Sequence, residues 1–222
     1  MTRAVLIDAL GTLVELRPPA PRLQALLAAE GFEVSEERAG AGIGAEIGYY
    51  LQHHLEGSTT EGLFDLRDRC ATAMLEALEL PGLDHPTARR IMLAALEFEP
   101  YPDAAPALAA LAELGLRRVI ASNWDCSLPD WLGPIGLLDL VDGVVTSADV
   151  GSAKPDPEVF ERALAVAGVA AEDALHVGDS LDNDVAGARA AGIRAVLVQR
   201  TGDPPDGVTT VRSLEQLPSV LS

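Results

Sequence analysis

Asp8, Ser122-Asn123, Lys154 and the run Gly178-Asp179-Ser180-Leu181-Asp182-Asn183-Asp184 are the residues of this 222-residue chain whose types and order suit chemistry on an anionic group. Asp8, Ser122 and Asp179 come at the ends of the short apolar runs Ala4–Ile7, Arg118–Ala121 and Leu175–Val177, and Lys154 comes a few residues after a further run, Gly143–Thr146. Taken singly, each has an ordinary structural reading. Asp8 could cap a helix, Ser122 and Asn123 could be turn residues, Lys154 a solvated surface lysine, and Asp179 and Asp184 charges balancing a helix dipole. Taken together and in order, they supply a carboxylate nucleophile, hydroxyl and amide donors, a fixed cation and an acidic shelf for a metal. Those are the parts of a phosphoryl-transfer site.

The elements that must position these residues follow from the same runs. Those four, with a fifth at Ala195–Val198, are short and apolar, each followed by a turn signal and then a helical pattern. Strands alternating with helices predict a parallel sheet covered on both faces, with ligands at the carboxyl ends of the strands. Asp156-Pro157 predicts a helix start ahead of Val159, Phe160, Ala163, Leu164 and Ala167. Pro102-Asp103 starts another, carrying Ala107, Leu108, Leu111 and Leu114 and stopped by Gly115. Ser213-Leu214-Glu215-Gln216 reads as a capping box opening a short last helix.

Between residues 15 and 100 no strand pattern appears. Leu23, Leu26 and Leu27 mark one helix, stopped by Gly31. Ile43, Ile47, Tyr50, Leu51 and Leu55 fall on one face of a second; Leu63, Leu66, Cys70, Met74, Ala77 and Leu78 on one face of a third; Ala88 to Leu96 makes a fourth. The expected architecture is an α/β, Rossmann-like parallel core of residues 1–15 and 100–222, with an inserted all-helical, four-helix cap at 16–99. The linkers are expected near Glu15–Pro21 and Glu97–Tyr101. Gly40-Ala41-Gly42-Ile43-Gly44-Ala45 matches a dinucleotide fingerprint by letter, but that motif works only directly after a strand. Here it follows Ser35-Glu36-Glu37-Arg38, a helix start, so small residues easing helix packing are the better account.

Composition limits the partners. Sixteen Lys and Arg against 34 Asp and Glu give a net charge of −18, which argues against nucleic acid and anionic membrane surfaces. Hydrophobic residues make up 48% and aromatics 4%, so the core is expected to be large, aliphatic and Ala-filled. The two cysteines, Cys70 and Cys126, suit neither a disulfide framework nor a zinc site, and no apolar run is long enough for a signal peptide or a membrane span. The expectation is a soluble, cytoplasmic protein acting on a small anionic molecule.

Asp-Ala-Leu-Gly-Thr-Leu at 8–13, Ser122-Asn123, Lys154-Pro155 and Gly178-Asp179, in this order, resemble the haloacid dehalogenase-like hydrolase superfamily, in the branch with a helical cap inserted after the first strand. The resemblance spans essentially the whole chain, and His176 through Gly192 is especially similar to the family's phosphatases. It implies that Asp8 is the nucleophile and forms a covalent aspartyl intermediate that water hydrolyses. Thr12 and Ser122 would orient it, and Ser122, Asn123 and Lys154 would meet the substrate, with Trp124 at the entrance. Asp8, Asp179 and the Leu10 backbone carbonyl would hold Mg²⁺, and Asp184 would tie Lys154 or a metal-bound water. The cap would close over the site and select substrates.

One position departs from the pattern. Leu10 stands where phosphatases of this family carry a second Asp, and leucine cannot transfer a proton, a contribution worth roughly 10²–10⁴-fold. Three readings follow: a Mg²⁺-dependent phosphatase acting on a good leaving group or borrowing a donor from Glu15, His53, His54 or Asp65; a metal-independent 2-haloacid dehalogenase, whose halide needs no acid; or a catalytically weak regulatory or binding protein. The retained Asp179 favours phosphoryl chemistry. Arg17, Arg22 and Arg38 lie near where a dehalogenase would grip a carboxylate, without matching its motif. His176 reads as a hydrogen-bonded core histidine, Trp124 alternatively as a packing residue, and Cys126 as a loop thiol.

Overall fold

Ala4-Val5-Leu6-Ile7 is buried at every position, as a strand covered on both faces must be. A computed structural model describes residues 1–221. In chain order its elements are β1 (Ala4–Ile7), β2 (Val14–Leu16), α1 (Pro19–Ala29), α2 (Glu36–His53), α3 (Thr60–Leu78), α4 (His85–Ala95), β3 (Phe98–Pro100), α5 (Ala104–Glu113) and β4 (Arg117–Ser122). There follow α6 (Leu128–Leu132), β5 (Gly143–Thr146), α7 (Ser147–Val150), α8 (Pro157–Ala167), β6 (Ala174–Gly178), a π-helical turn (Leu181–Ala186), α9 (Gly187–Ala190), β7 (Arg194–Val198), β8 (Thr210–Val211) and a 3₁₀ helix (Leu214–Val220).

The chain divides into two compact units, one of Met1–Glu15 with the chain from Pro100 onward, the other of Leu16–Glu99. The first is a six-stranded sheet in the order β5-β4-β1-β6-β7-β8, parallel at each pairing. This is the α/β, Rossmann-like architecture expected from the alternating pattern. Ala4, Leu6, Val119, Ala121, Val145 and Leu197 face a cluster with Val159, Phe160 and Ala163 of α8. Residues of opposite parity face the other side, where Arg118 reaches the Leu108 carbonyl of α5. β8 is an addition to the expected set. Its two residues, Thr210 and Val211, are too few to give a period.

The second unit is helical. Ser35, Thr59 and Asp84 cap α2, α3 and α4 by accepting from the backbone N–H groups of Arg38, Gly62 and Thr87. Leu23 and Leu27, Ala39 and Ile43, Leu66, Met74 and Leu78, and Ile91 and Met92 form its core. The Gly40–Ala45 run lies inside α2, away from any strand, and a Cβ on Gly42 would come within 2.8 Å of Leu78. Its glycine serves close packing of α2 on α3, not a dinucleotide.

Three expectations need correction. The stretch between residues 15 and 100, read as strand-free, holds β3, which pairs with β2 in a two-stranded ribbon, and Pro19–Pro21 of the expected linker already belong to α1. Leu51 is 64% exposed and Leu114 56% exposed, so neither belongs to the apolar face assigned to it; Leu114 lies just past the last residue of α5. The last helix keeps its capping box but is a 3₁₀ helix, with Pro218 inside it. No helix among the described residues is long and apolar enough to cross a membrane.

Glu46, on the buried stripe of α2, is 3% exposed, and its Oε2 has no hydrogen-bond partner. Burial pushes its carboxyl from the ordinary 4.5 up to about 7. Between those values the folded chain binds more protons than the unfolded one, so stability falls as pH rises through this window. Glu46→Gln should therefore be more stable than wild type at pH 8 by on the order of 2 kcal/mol, converging on it near pH 4.5. Urea unfolding at the two pH values checks this; a difference that does not grow with pH would show that Glu46 does not titrate as its burial demands.

Candidate functional site

Asp8 follows directly on β1, and its backbone N–H donates to the Val177 carbonyl of the neighbouring strand at 2.9 Å. The chain then turns sharply, with the Leu13 and Val14 N–H groups both donating to the Ala9 carbonyl. Gly11 supplies the left-handed residue of this turn, at φ 81°, and a Cβ there would stand 2.2 Å from Asp179 Oδ2. The glycine is thus required twice, by its backbone conformation and by the carboxylate seated on it.

Lys154 organises the interior of the site. Its ammonium, 2% exposed, donates to Asp8 Oδ1 at 2.7 Å and to Asp184 Oδ1 at 2.6 Å. Ser122, closing β4, donates from Oγ to the same Asp8 Oδ1 at 2.9 Å. Both bonds fall on one oxygen, so Asp8 Oδ2 takes no hydrogen bond among the described residues. Asp184 is held on both oxygens: Oδ1 also meets His176 Nε2 at 2.9 Å, and Oδ2 accepts from the Ser180 N–H at 3.0 Å. A Cβ on Gly178 would come 2.1 Å from Asp184 Cγ, so only glycine lets Asp184 lie against the end of β6.

The electrostatics follow from burial and pairing. Burial pushes the Asp8 carboxyl up, opposed by Lys154 and reinforced by Asp184. Burial acts in the same sense on Asp184, but the His176 hydrogen bond and the Lys154 ammonium override it and hold this carboxyl below the usual range. Lys154 is held above the ordinary lysine value, since the two carboxylates outweigh the desolvation of its ammonium. Asp179, the exposed member, is raised to about 6 by partial burial, with Asp8 and Asp184 adding repulsion.

Oxygens of Asp8, Asp179 and Asp184 lie within 4.8 Å of one another. Three carboxylates beside one ammonium leave a negative excess, and hard oxygen donors of this kind suit a small divalent cation. Asp184 Oδ1 already takes two contacts and Oδ2 one, so among the described residues Asp8 and Asp179 have the most capacity left for an ion.

Several side chains stand differently from what their types suggest. Asn123 spends its side chain on the Lys154 backbone: it accepts from the Lys154 N–H at 2.7 Å and donates to the Lys154 carbonyl at 2.9 Å. Thr12 is buried, and its Oγ1 has no hydrogen-bond partner, so of the two hydroxyls expected to orient Asp8 only Ser122 does so. Trp124 is 6% exposed, and its backbone is tied to the Ser147 hydroxyl, which fits packing and not an open entrance. Leu10 is 43% exposed, unusual for a leucine two residues from a buried carboxylate. His176 is the buried, hydrogen-bonded core histidine expected, with Phe160 edge-on to its ring, and its partner is Asp184. A polar residue in an otherwise apolar strand leading into an Asp-rich loop was the available signal.

Comparison with known proteins points the same way. A family model described as haloacid dehalogenase-like hydrolase matches residues 2–192. A phosphatase of Mycobacterium tuberculosis is 41% identical over 123 residues, 54% of this chain and 55% of that protein. The chain spans about half the length of the curated relatives it matches. Among solved structures, a HAD phosphatase from Thermococcus onnurineus is 26% identical at a TM-score of 0.69, covering 99% of this chain and 98% of its own. The L-2-haloacid dehalogenase of Xanthobacter autotrophicus is 25% identical at a TM-score of 0.73, covering 100% and 98%.

Removing the central cation tests the electrostatic account. Lys154→Met leaves Asp8 and Asp184 buried without their counter-charge and should cost about 3–5 kcal/mol at pH 8. The loss should shrink at pH 5, where the unpaired carboxyls take up protons. Urea unfolding at both pH values measures it; equal losses would assign the role to the lysine's stem and not to its charge.

Proposed function

The chain belongs to the haloacid dehalogenase-like hydrolase family, and from that membership we propose that it is a Mg²⁺-dependent phosphatase acting on a small phosphorylated compound. The observation that carries this reading is Asp179, kept beside the buried Asp8–Lys154–Asp184 group with its carboxylate within reach of Asp8. A reaction that needs no cation gives no reason to crowd a third carboxylate into this place. The phosphatase names borne by relatives support the same reading.

Asp8 and Asp179, with the Leu10 backbone carbonyl, would hold Mg²⁺, which supplies charge neutralisation for the phosphoryl oxygens. The Asp8 carboxylate, held at Oδ1 by Ser122 and Lys154, attacks phosphorus. The bond to the leaving oxygen breaks and its electron pair departs with the leaving group. Lys154 balances negative charge on both the carboxylate and the transferring group. Water then attacks phosphorus of the aspartyl phosphate: the bond from phosphorus to the Asp8 oxygen breaks, its electron pair returns to the carboxylate, and the water's proton leaves on the released inorganic phosphate.

Leu10 narrows the substrate. With no acid at that position, alkoxide departure is disfavoured, and leaving groups that are stable as anions, such as aryl and acyl phosphates, are preferred. The same residue favours a second reading, 2-haloacid dehalogenation, in which halide leaves without a proton; likeness to a solved dehalogenase supports it.

A panel of aryl phosphates, acyl phosphates, alkyl phosphates and 2-haloacids, run with Mg²⁺ and with EDTA, separates these readings. Mg²⁺-dependent turnover of activated phosphates, lost in EDTA and in Asp8→Asn, is expected. Haloacid turnover that persists in EDTA overturns the proposal in favour of the dehalogenase; no turnover at all, with Mg²⁺ still bound, overturns it in favour of a binding or regulatory role. Leu10→Asp should raise kcat/KM for alkyl phosphates by about 10²-fold and for aryl phosphates far less. A folded, Mg²⁺-binding variant with no such gain would show that a missing acid does not limit the reaction.

A further inference from the structure

Arg200, two residues beyond β7, makes no bond to Asp8, Asp179 or Asp184 among the described residues, yet it is tied to the loop that follows Asp8. Its Nη2 donates to the Thr12 carbonyl at 2.9 Å. The same guanidinium is gripped by Asp103 through two bonds, Nη1 to Oδ2 at 2.8 Å and Nη2 to Oδ1 at 3.0 Å. It also lies over the Tyr101 ring, 3.6 Å from the centroid. Asp103 is itself anchored, its Oδ2 accepting from Ser213 Oγ and the Leu214 N–H, each at 2.9 Å. The Tyr101 N–H donates to the next loop carbonyl, that of Leu13, at 2.9 Å. Two successive carbonyls of the Asp8–Val14 turn are therefore held from one cluster, on three separate segments of the same unit.

We propose that Arg200, clamped by Asp103 and stacked on Tyr101, is a positioning residue that fixes the Thr12 carbonyl and through it the turn carrying Asp8, the Leu10 carbonyl and Thr12. The inference rests on the phosphatase reading for its kinetic consequence, but not for its structural one. Arginine suits the task because a planar fork can bind a carboxylate through two parallel bonds and still donate to a carbonyl while stacked on a ring. A lysine ammonium keeps the charge but lacks the second fixed bond. Asp103 is thereby accounted for as well: at the N-terminus of α5 its side chain makes no capping bond, because its oxygens are turned to Arg200, Ser213 and Leu214.

The test compares wild type with Arg200→Ala, Arg200→Lys and the control Arg212→Ala, an exposed arginine bonded to the Gln199 carbonyl away from the turn. Kinetics on an aryl phosphate with Mg²⁺ are read beside amide hydrogen exchange of the peptide spanning residues 9–14. Arg200→Ala should lower kcat about tenfold or more with KM within about twofold, the signature of a displaced reacting group. Exchange in residues 9–14 should quicken while β6 and β7 stay protected. Arg200→Lys should recover part of both effects, and Arg212→Ala should match wild type. Unchanged exchange in 9–14, or faster exchange that spreads across the sheet, overturns the proposal. So does quickened exchange in 9–14 with an unaltered kcat. If wild type turns over no phosphate, the phosphatase reading falls, and the exchange measurements alone decide whether Arg200 holds the turn.

Discussion

An ammonium group taken out of water between two carboxylates is the constraint to which the rest of the site answers. Lys154 can stay charged in the interior only while Asp8 and Asp184 face it, and each carboxylate can stay ionised only while the lysine does. The three must therefore come together with their geometry fixed. Asn123 locks the lysine's backbone, Ser122 shares Asp8 Oδ1, and His176 and the Ser180 N–H hold Asp184 in place. One oxygen, Asp8 Oδ2, is left over. The buried ion group thus leaves one carboxylate oxygen without a hydrogen bond among the described residues, near the exposed carboxylate of Asp179.

The sheet order explains how residues so far apart in sequence meet. β1 lies between β4 and β6, so the chain's connections run outward from it on both sides, and the crevice at the carboxyl ends of such neighbouring strands is where open α/β sheets bind ligands. Ser122 arrives from one neighbour and Asp179 from the other. The Lys154 segment follows β5, one strand further out, and needs the length of its side chain to reach Asp8. The small residues are placed to match: Gly11 and Gly178 each make room for a carboxylate that a Cβ would displace.

Much of this was legible in the residues, for a physical reason. A strand buried on both faces must be apolar throughout, so β1, β5 and the cores of β4, β6 and β7 stand out against the polar residues that end them. Helix α3 was equally plain, because Leu63, Leu66, Cys70, Met74 and Leu78 are spaced to bury one face. What could not be read was partner choice at long range. Asp103 looks like an N-cap because local spacing says so, whereas its oxygens turn to residues about a hundred positions away. Asn123 has the type of a substrate ligand but serves the Lys154 backbone. Arg200 and Tyr101 carry no motif, and their stacking depends on where β7 and β3 deliver them. β2 and β3 escaped notice because three residues give no period, and Leu51 failed because a helical face can be continuous in sequence and end in space.

The placement of β1 also bears on how the molecule is made. Ala4 pairs with Arg117 on one side and with Ala174 on the other, so neither neighbour exists while the intervening helices are being synthesised. At about 5–20 residues per second, β1 remains an unpaired, wholly apolar strand for many seconds on the ribosome. The helices of Leu16–Glu99, built from contacts near in sequence, have time to form first. Asp8 meets Ser122 before it can meet Lys154, and both before Asp184 has been added. During synthesis, then, the charges arrive in an order that leaves the two carboxylates never together without the cation: nucleophile, lysine and only afterwards the second buried acid.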